Sequence, residues 1–447
     1  MEPSRKVDLV VAGGTVLPMC GEQPIDDGVV AIDGGLIVSV GKKGEGAEPV
    51  GRRTIDAGGG VIMPGFVNAH THVGSNMLLR GLDEDVLLFE WLASMWRLKR
   101  NFDDETLYWA SLVGLVEMSR AGITCFNEHF DAYAVEPEIK ALEVLPLRAT
   151  LAYGLADQGI YESIADWSWA TIGRFGEILA SVPNSKEGRV RLGLAPHAPY
   201  SCGADMLRAV RQVANDLGVP IHTHVAEGLQ EVAYVAEHYG TTPVRWLESL
   251  GFLGPDVTCA HCTQLDDLDI AILAARDARI ATCPVSNAKL CSGTLPLAEL
   301  GVAGVRVGLA TDGPASHNTI DMFQEMKFAG LVHKQRTGDP RFLTTRELLE
   351  LATTGSADAM QRPEVGRLAP DLAADLIVVD LSGAHVQPVY DVMAALVYSC
   401  RADDVRYTIV GGKVVLDDRV VVGIDEEEAI SNFRRMACRL RDRSLAP

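Results

Sequence analysis

The 447-residue sequence lacks the marks of several large protein classes. No run approaches the roughly 18 apolar residues of a membrane-spanning helix, and the first residues lack the apolar core of a secretory signal peptide. Basic residues are also few, with 40 lysines and arginines against 60 acidic residues and a net charge of −20. Since nucleic-acid binding needs a basic surface, we expect neither a membrane nor a nucleic acid as a partner.

Cysteine is scarce as well, with nine residues scattered along the chain. An odd, scattered set argues against a disulfide scaffold and predicts buried free thiols in a cytoplasmic protein. The composition, 47% hydrophobic and 22% charged, is that of an ordinary globular protein. At about 100–200 residues per domain, the length predicts two or three units, or one large barrel with an accessory module.

The two ends of the chain share the pattern of a small β-sheet. In the first sixty residues, and again after residue 365, short runs of β-branched residues alternate with glycine-rich turns, which is typical of antiparallel hairpins. We therefore predict one small β-sandwich domain built from residues 1–62 and 366–447. A helix from Asp425 to about Arg443, acidic at its start and basic towards its end, closes it.

The middle of the chain, residues 63–365, repeats a different unit. Eight short apolar runs alternate with segments of helical periodicity: GFVNAHTH, GITCFNEHF, PLRATLAYGL, RVRLGLAPHAPY, VPIHTHVAE, VTCAHCT, RIATCPVSN and RVGLATDG. This alternation indicates a parallel sheet covered on both faces, and eight units match an α/β fold of the (β/α)8, or TIM, barrel class. No GxGxxG turn follows an early strand, so a doubly wound dinucleotide-binding fold lacks support.

Histidines gather at the carboxyl ends of the predicted barrel strands, where barrel enzymes carry their active sites. Seven of the eleven histidines lie at or just beyond such ends: His70, His72, His129, His197, His222, His224 and His261. A random scatter would place many of them on helices and loops. The clustering is the most informative feature of the sequence.

His70 and His72 flank Thr71 at the end of the first barrel strand. Residues i and i+2 of a strand project to one face, so both imidazoles point into the barrel mouth. Such a pair either binds a metal or consists of hydrogen-bonded core histidines, and the barrel context favours the metal. The pattern recurs on the fifth strand, where we expect His224, nearer the strand end, to be a ligand and His222 to lie one layer deeper.

Acidic residues accompany these histidines. Asp312 ends the eighth strand among apolar residues, and a buried carboxylate there needs a cationic partner. The predicted ligand set for one divalent ion, with room for a water, has three nitrogens and one oxygen: His70, His72, His224 and Asp312. No lysine ends the fourth strand to carry a bridging carbamate, so one ion is expected. Glu227, just beyond the fifth strand, is either an acid/base group or an ordinary loop acid, and His261 ends the sixth strand.

Several motifs occur in one order along the chain: PGFVNAHTH, LLRG, FEWL, PHAPY, HTHVAE, AHC, PVSNAKL and TDGPAS. In this combination the chain resembles the amidohydrolase superfamily over nearly its whole length. Within it, the chain looks like the branch of S-adenosylhomocysteine/methylthioadenosine deaminases, guanine deaminases and triazine hydrolases. The resemblance implies a mononuclear zinc or iron hydrolase with the four ligands above, with Glu227 and His261 as acid/base groups and with His197 as a substrate contact.

The chemistry of this set agrees with that allocation. A bound Zn²⁺ lowers the pKa of its water to about 7 and so supplies hydroxide at neutral pH. Asp312 can take the proton of that water while His261 holds the hydroxide. Glu227 can protonate a ring nitrogen, which makes the amino-bearing carbon electrophilic, and later help ammonia leave.

Two departures from the adenosine-type deaminases of this branch concern the ribose pocket. In those deaminases, an acidic residue a short way after the FEWL tryptophan binds the ribose hydroxyls. In this chain the corresponding position falls in the basic stretch Lys99-Arg100-Asn101. An arginine on the third strand is replaced by Tyr153. We expect Arg100 and Tyr153 to bind an anionic or aromatic group of the substrate instead, with a solvated cation as the alternative for Arg100.

The sequence thus predicts a metal-dependent aminohydrolase that deaminates an amino-substituted nitrogen heterocycle, an adenosine- or S-adenosylhomocysteine-like purine or a related base, through a metal-bound hydroxide. One alternative is a triazine-type hydrolase that removes chloride or an amine from an s-triazine. Another is a barrel without catalytic activity, but such a protein would be expected to lack one or more ligands, and all the candidate ligands are present. The expected cofactor is one Zn²⁺, or Fe²⁺ instead. We also expect a small heterocyclic substrate, a homo-oligomer of two or four chains and a cytoplasmic location.

Overall fold

A computed structural model of the chain describes residues 6–45, 49–130, 135–184 and 188–444. Residues 1–5, 46–48 and 445–447, which the predicted terminal domain includes, lie outside the described residues. The strands are β1 (Lys6–Val16), β2 (Ile25–Asp33), β3 (Leu36–Lys42), β4 (Val50–Asp56), β5 (Val61–Pro64), β6 (Phe66–Thr71), β7 (Ile123–Phe130), β8 (Arg148–Leu155), β9 (Val190–Pro196), β10 (Ile221–Val225), β11 (Val257–His261), β12 (Arg279–Thr282), β13 (Val307–Leu309), β14 (Leu376–Val379), β15 (Val405–Val410), β16 (Lys413–Asp417) and β17 (Val420–Val421).

The α-helices are α1 (Val73–Asn76), α2 (Leu88–Lys99), α3 (Asp104–Arg120), α4 (Glu136–Val144), α5 (Ala165–Ser181), α6 (Ala204–Leu217), α7 (Leu229–Tyr239), α8 (Pro243–Ser249), α9 (Asp267–Ala275), α10 (Pro284–Lys289), α11 (Leu297–Ala303), α12 (Pro314–His317), α13 (Met322–Thr337), α14 (Thr345–Glu350), α15 (Ser356–Ala359), α16 (Val392–Tyr398) and α17 (Glu426–Ser444). Short 3-10 helices span Met77–Leu79, Gly159–Ile164 and Ala402–Asp404, and a π-helical turn spans Leu351–Gly355. Within the described ranges, no helix combines the length and the apolar character needed to cross a bilayer.

Strands β6 to β13 form a parallel sheet in which each strand pairs with the next along the chain. Helices lie in the connections, and β7 and β8 are buried along their whole length, as strands covered on both faces should be. The eight strands coincide with the eight apolar runs of the sequence. The predicted (β/α)8 barrel is therefore confirmed.

Side-chain hydrogen bonds help to close the barrel between β6 and β13. The fully buried Asn68 accepts the Thr311 N–H through Oδ1 at 3.0 Å and donates from Nδ2 to Thr311 Oγ1 at 2.8 Å. One residue further on, the Asp312 N–H donates to the His70 carbonyl at 3.0 Å. These bonds set the carboxyl end of the last strand beside that of the first, and so bring Asp312 next to His70.

We expect Asn68→Ala to lower the free energy of unfolding by about 2–3 kcal/mol. The buried Thr311 N–H loses its acceptor, and the missing amide leaves a small cavity. Urea denaturation of the variant measures the change. Asn432→Ala is the control, because its half-buried amide on α17 makes only surface hydrogen bonds within the described residues, to the Glu428 carbonyl and from the exposed Arg435. It should change the free energy of unfolding by less than about 0.5 kcal/mol. Equal stability of Asn68→Ala and the control would contradict this role for the amide.

The other nine strands form one mixed sheet from both ends of the chain, in the order β17-β16-β15-β14-β5-β1-β2-β3, with β4 also beside β1. Inward-facing side chains of several strands, among them Leu9, Val30, Ile55 and Val378, pack in one buried cluster. The sheet thus encloses a small core of its own, as a sandwich does, and the predicted terminal β-domain is confirmed as a fold. Its boundaries at residues 62 and 366 stay a prediction, and β5 crosses the first of them.

The prediction that the N-terminal strands are all antiparallel hairpins is wrong in part. Strands β1, β2 and β3 pair antiparallel, but β4 and β5 both run parallel to β1. After β3 the chain crosses from one edge of the sheet to the far side of β1, and such a crossover makes a parallel pair. The predicted closing helix is present as α17, which Arg439 ties to Asp103 and Glu105 on and before α3.

Candidate active site

The carboxyl ends of β6, β10 and β13 bring four of the predicted residues into one buried cluster. His72 Nε2 lies 3.2 Å from His224 Nε2, and Asp312 Oδ1 lies 3.4 Å from His70 Nε2 and 3.5 Å from His72 Nε2. One candidate ligand atom from each of the three histidines falls within 4.8 Å of the others. His261 joins His70 and Asp312 in a second group of the same span, so it borders the same centre.

Backbone carbonyls orient two of these imidazoles. His72 Nδ1 lies 2.8 Å from the His129 carbonyl, and His224 Nδ1 lies 2.7 Å from the His197 carbonyl. Because a carbonyl only accepts, each Nδ1 carries the proton and each Nε2 keeps its lone pair. Both Nε2 atoms face the cluster, which is the arrangement that a metal-binding histidine takes.

His70 is buried between a histidine and a carboxylate. Its Nδ1 lies 2.7 Å from His222 Nε2, one layer deeper in the barrel, as predicted for His222. Within the described part of the chain, His70 Nε2 has no hydrogen-bond partner. Burial lowers the pKa of His70 to about 3 in spite of the neighbouring Asp312, so the ring is neutral. A neutral buried ring nitrogen of this kind, beside a carboxylate oxygen, fits a divalent cation.

Each oxygen of the Asp312 carboxylate has its own contacts. Oδ2 accepts the hydroxyls of Ser286 at 2.6 Å and Ser316 at 2.7 Å. Oδ1 accepts the Gly313 N–H at 2.6 Å and faces the imidazoles. Burial by itself raises the pKa of Asp312, but the adjoining His70 and the other nearby imidazoles outweigh it and hold the pKa well below its usual range. The carboxylate is therefore ionised and fixed in orientation.

Two candidate acid/base residues border the cluster. Glu227 lies just beyond β10 and is 5% exposed, and burial raises the pKa of its carboxyl. A raised pKa favours the protonated form of the carboxyl, which the role of a proton donor requires. His261 ends β11, and its Nδ1 lies 2.8 Å from Asn287 Oδ1, which leaves Nε2 for the centre. The structure thus brings both residues to the side of the cluster.

The cluster opens into a small cavity of about 30 Å³. Its lining comprises His72, Asn76, Leu88, Trp91, Leu92, Lys99, His197, Tyr200, His224, Glu227, His261, Leu290 and Asp312. His197, the predicted substrate contact, lies in this wall, with Nδ1 2.9 Å from Ser201 Oγ and Nε2 3.3 Å from the Tyr161 hydroxyl.

The structure does not bring Arg100 and Tyr153 to this cavity. Arg100 is exposed at the end of α2. Tyr153 is buried on β8, where its ring centroid lies 5.7 Å from that of Phe175 and its hydroxyl 3.5 Å from Glu136 Oε1. Neither side chain lines the cavity, so the expected substrate contacts of these two residues lack support from the geometry.

Lys99, one residue before Arg100, lines the cavity in its place and is 5% exposed. The helical spacing of the sequence could have predicted this position of Lys99. Trp91, Met95 and Lys99 are four residues apart and form the buried face of α2, while Arg100 is turned away.

A second, apolar chamber of about 210 Å³ adjoins the first and shares Leu92 and Tyr200 with it. Its lining comprises Phe89, Leu92, Gln158, Gly159, Ile160, Tyr161, Tyr200, Ser201 and Tyr234. These residues come from α2, from the 3-10 helix Gly159–Ile164, from the loop after β9 and from α7. Because the four segments are remote along the chain, no local pattern could predict the chamber.

Comparison with known proteins identifies the class to which this site belongs. The amidohydrolase family model matches residues 61–415, and the chain belongs to that family. The family and hydrolase class predicted from the motifs are thereby confirmed.

Three individual proteins show how close the similarity is. The 5-methylthioadenosine/S-adenosylhomocysteine deaminase of Pelotomaculum thermopropionicum is 39% identical over 98% of this chain and 99% of its own. An adenosine deaminase from Xanthomonas campestris with bound zinc matches with a TM-score of 0.92 and 30% identity over 98% of this chain and 100% of that one. Atrazine chlorohydrolase TrzN from Arthrobacter aurescens, complexed with zinc, matches with a TM-score of 0.85 and 26% identity over 96% and 100%.

Proposed function

We propose that the protein is a metal-dependent aminohydrolase that deaminates an adenosine-like nucleoside at the amino-bearing carbon of its purine ring. The observation that carries the proposal is the buried cluster of three imidazoles and one carboxylate, with Glu227 and His261 on its border. The deaminases of Pelotomaculum thermopropionicum and Xanthomonas campestris support the choice of substrate class.

The proposed ligands of one divalent ion are His70, His72, His224 and Asp312. Their fit rests on the neutral rings of His70 and His224, on the converging Nε2 atoms and on the His70 Nε2 that lacks a hydrogen-bond partner among the described residues. We take zinc as the ion, with iron as the alternative, and the two zinc-containing structures support zinc. When bound, such an ion acts as a Lewis acid that makes a water molecule nucleophilic near neutral pH.

The protein's own residues then move protons and orient the reactants. The Asp312 carboxylate accepts a proton from the attacking water, and His261 Nε2 holds that water by a hydrogen bond. Glu227 protonates a ring nitrogen, which makes the neighbouring carbon electrophilic. The water oxygen bonds to this carbon as its proton passes to Asp312. The carbon–nitrogen bond then breaks, the amino group leaves as ammonia with the proton held by Asp312, and the new hydroxyl returns its proton to Glu227. A lactam carbonyl remains on the ring, so the reaction consumes one water and releases one ammonia.

Glu227→Gln is expected to lower kcat about 100-fold or more while the metal content of the protein stays unchanged. A glutamine cannot hold or deliver the proton, but Glu227 is not one of the proposed ligands. Ammonia release and elemental analysis of the same preparation give the two quantities. Glu237→Gln, at an exposed position on α7, serves as the control and should match the wild type. A Glu227→Gln variant with wild-type kcat would rule out this proton path.

A panel of substrates tests the proposed reaction. It contains adenosine, 5-methylthioadenosine, S-adenosylhomocysteine, guanine, and chloro- and amino-s-triazines, with ammonia and chloride measured separately. The apolar chamber beside the cluster leads us to expect the highest kcat/KM for a nucleoside with a small apolar substituent such as methylthio. Ammonia from no adenine nucleoside would contradict the proposal.

Triazine hydrolysis is the second candidate, because the atrazine chlorohydrolase shares the fold over nearly its whole length. The same cluster could serve it, since the leaving group depends on the pocket and on the acid available. Chloride release from chlorotriazines without ammonia from nucleosides would establish it in place of deamination.

We further propose a cytoplasmic location and a homo-oligomer of two or four chains. All nine cysteines are free, as is usual in a reducing compartment. Light scattering of the purified protein measures the number of chains.

A further inference from the structure

Each of the two His-Thr-His strands is followed by two successive backbone N–H groups that one buried glutamate accepts. After β6, the Val73 N–H and the Gly74 N–H donate to the carboxylate of Glu128, at 2.8 and 3.1 Å. After β10, the Ala226 N–H and the Glu227 N–H donate to the carboxylate of Glu231, at 3.0 and 2.8 Å. The two glutamates come from different elements, β7 and α7, and both are fully buried.

Glu128 acts on the strand end that carries His72. It lies opposite Thr71 in the pairing of β6 with β7, and its carboxylate fixes the two residues that follow His72. The next residue of β7, His129, offers its carbonyl to His72 Nδ1. Two neighbouring residues of β7 thus fix His72. The Glu128 carboxylate holds the backbone just after it, the His129 carbonyl holds its imidazole ring, and the direction of the His72 Nε2 depends on both contacts.

Glu231 acts on the turn that carries Glu227. Ala226 has a φ of +50°, in the left-handed region that residues other than glycine rarely adopt. Because the adjoining N–H groups are buried, they need an acceptor in this conformation, and the two oxygens of Glu231 supply it. The turn in this shape places the Glu227 side chain in the cavity wall.

We propose that Glu128 and Glu231 are positioning residues with separate tasks, Glu128 for metal affinity through His72 and Glu231 for proton transfer through Glu227. The second task rests on the proposed function, whereas the first concerns only the binding of an ion.

Glutamine variants test the two tasks, because glutamine keeps the shape of the side chain but replaces one acceptor oxygen with a donor. One of the two N–H groups then loses its partner. We expect Glu128→Gln to raise the dissociation constant for Zn²⁺ about 10- to 100-fold, measured on metal-free protein by competition with a chelator. We expect Glu231→Gln to leave this constant within about twofold and to lower kcat at saturating Zn²⁺ at least about tenfold, with little change in KM.

The matched control is Glu138→Gln. Glu138 is a fully buried glutamate on α4 whose carboxylate makes no hydrogen bond within the described residues. Its variant should change neither the Zn²⁺ dissociation constant nor kcat. Hydrogen exchange gives a readout that needs no activity, and the amides of Ala226 and Glu227 should exchange faster in Glu231→Gln than in the wild type.

If the two glutamates had only a structural role, both variants would have a lower melting temperature, and Zn²⁺ affinity and kcat would change alike in both. That result would overturn the proposal. Unchanged Zn²⁺ affinity in Glu128→Gln, or unchanged exchange and kcat in Glu231→Gln, would overturn the corresponding half. Should a glutamine variant not fold, Glu128→Asp and Glu231→Asp keep the charge with a shorter reach and take its place in both assays. If metal-loaded wild type releases no ammonia, the proposed function fails, while Zn²⁺ affinity and hydrogen exchange still decide this inference.

Discussion

Asp312→Asn is expected to lower kcat by at least about 1,000-fold. In the wild type, Oδ2 accepts two serine hydroxyls, and Oδ1 accepts the Gly313 N–H and faces the imidazoles. The asparagine can keep its oxygen at the Oδ1 position and turn its amide towards the hydroxyls, which can rotate to accept. It therefore keeps a ligand atom but loses the group that takes the proton of the water. Steady-state ammonia release, corrected for metal content, measures the effect.

The control for this variant is Asp404→Asn, which changes a buried carboxylate that lies 2.8 Å from His385 Nε2. Because Asp404 lies outside the cavity wall, its variant should keep the kcat of the wild type. An Asp312→Asn enzyme that turns over at the wild-type rate with its metal in place would mean that another group accepts the proton.

His72→Ala is expected to raise the dissociation constant for Zn²⁺ at least about 100-fold and to remove turnover with it. Loss of a direct ligand should cost more than loss of a group behind a ligand, which costs about 10- to 100-fold. The Nε2 of His72 also lies 3.2 Å from that of His224, the neighbouring proposed ligand. Chelator competition and elemental analysis measure affinity and occupancy.

Here the control is His333→Ala, at a buried histidine on α13 that belongs to neither group of candidate ligands. Its variant should bind one ion per chain with the affinity of the wild type. If His72→Ala also bound one ion with that affinity, His72 would not be a ligand.

Much of the barrel could be predicted because its signals are local. Each barrel strand is a short apolar run, and residues at i and i+2 of a strand must share a face, so His70 and His72 could be placed on one side from sequence alone. The meeting of β6, β10 and β13 around one centre followed from the rule that barrel strands carry their chemistry at one end.

What could not be predicted depends on contacts between distant segments. The apolar chamber combines four segments, and the carboxylates of Glu128 and Glu231 act on backbone groups of other elements. The direction of β4 was missed because glycine-rich turns do not tell a hairpin from a crossover. The choice of Arg100 instead of Lys99 as a cavity residue was a different kind of error. The helical spacing of α2 already indicated that Lys99 lies on its buried face.

The central claim is that four side chains, remote along the chain, hold a single divalent ion. Crystals of the zinc-loaded protein, measured above and below the zinc absorption edge, test it most directly. We predict one anomalous peak per chain, at about 2.0–2.2 Å from nitrogens of His70, His72 and His224 and from an oxygen of Asp312. A peak elsewhere in the chain, or a fully loaded protein in which these four side chains share no ion, would contradict the account.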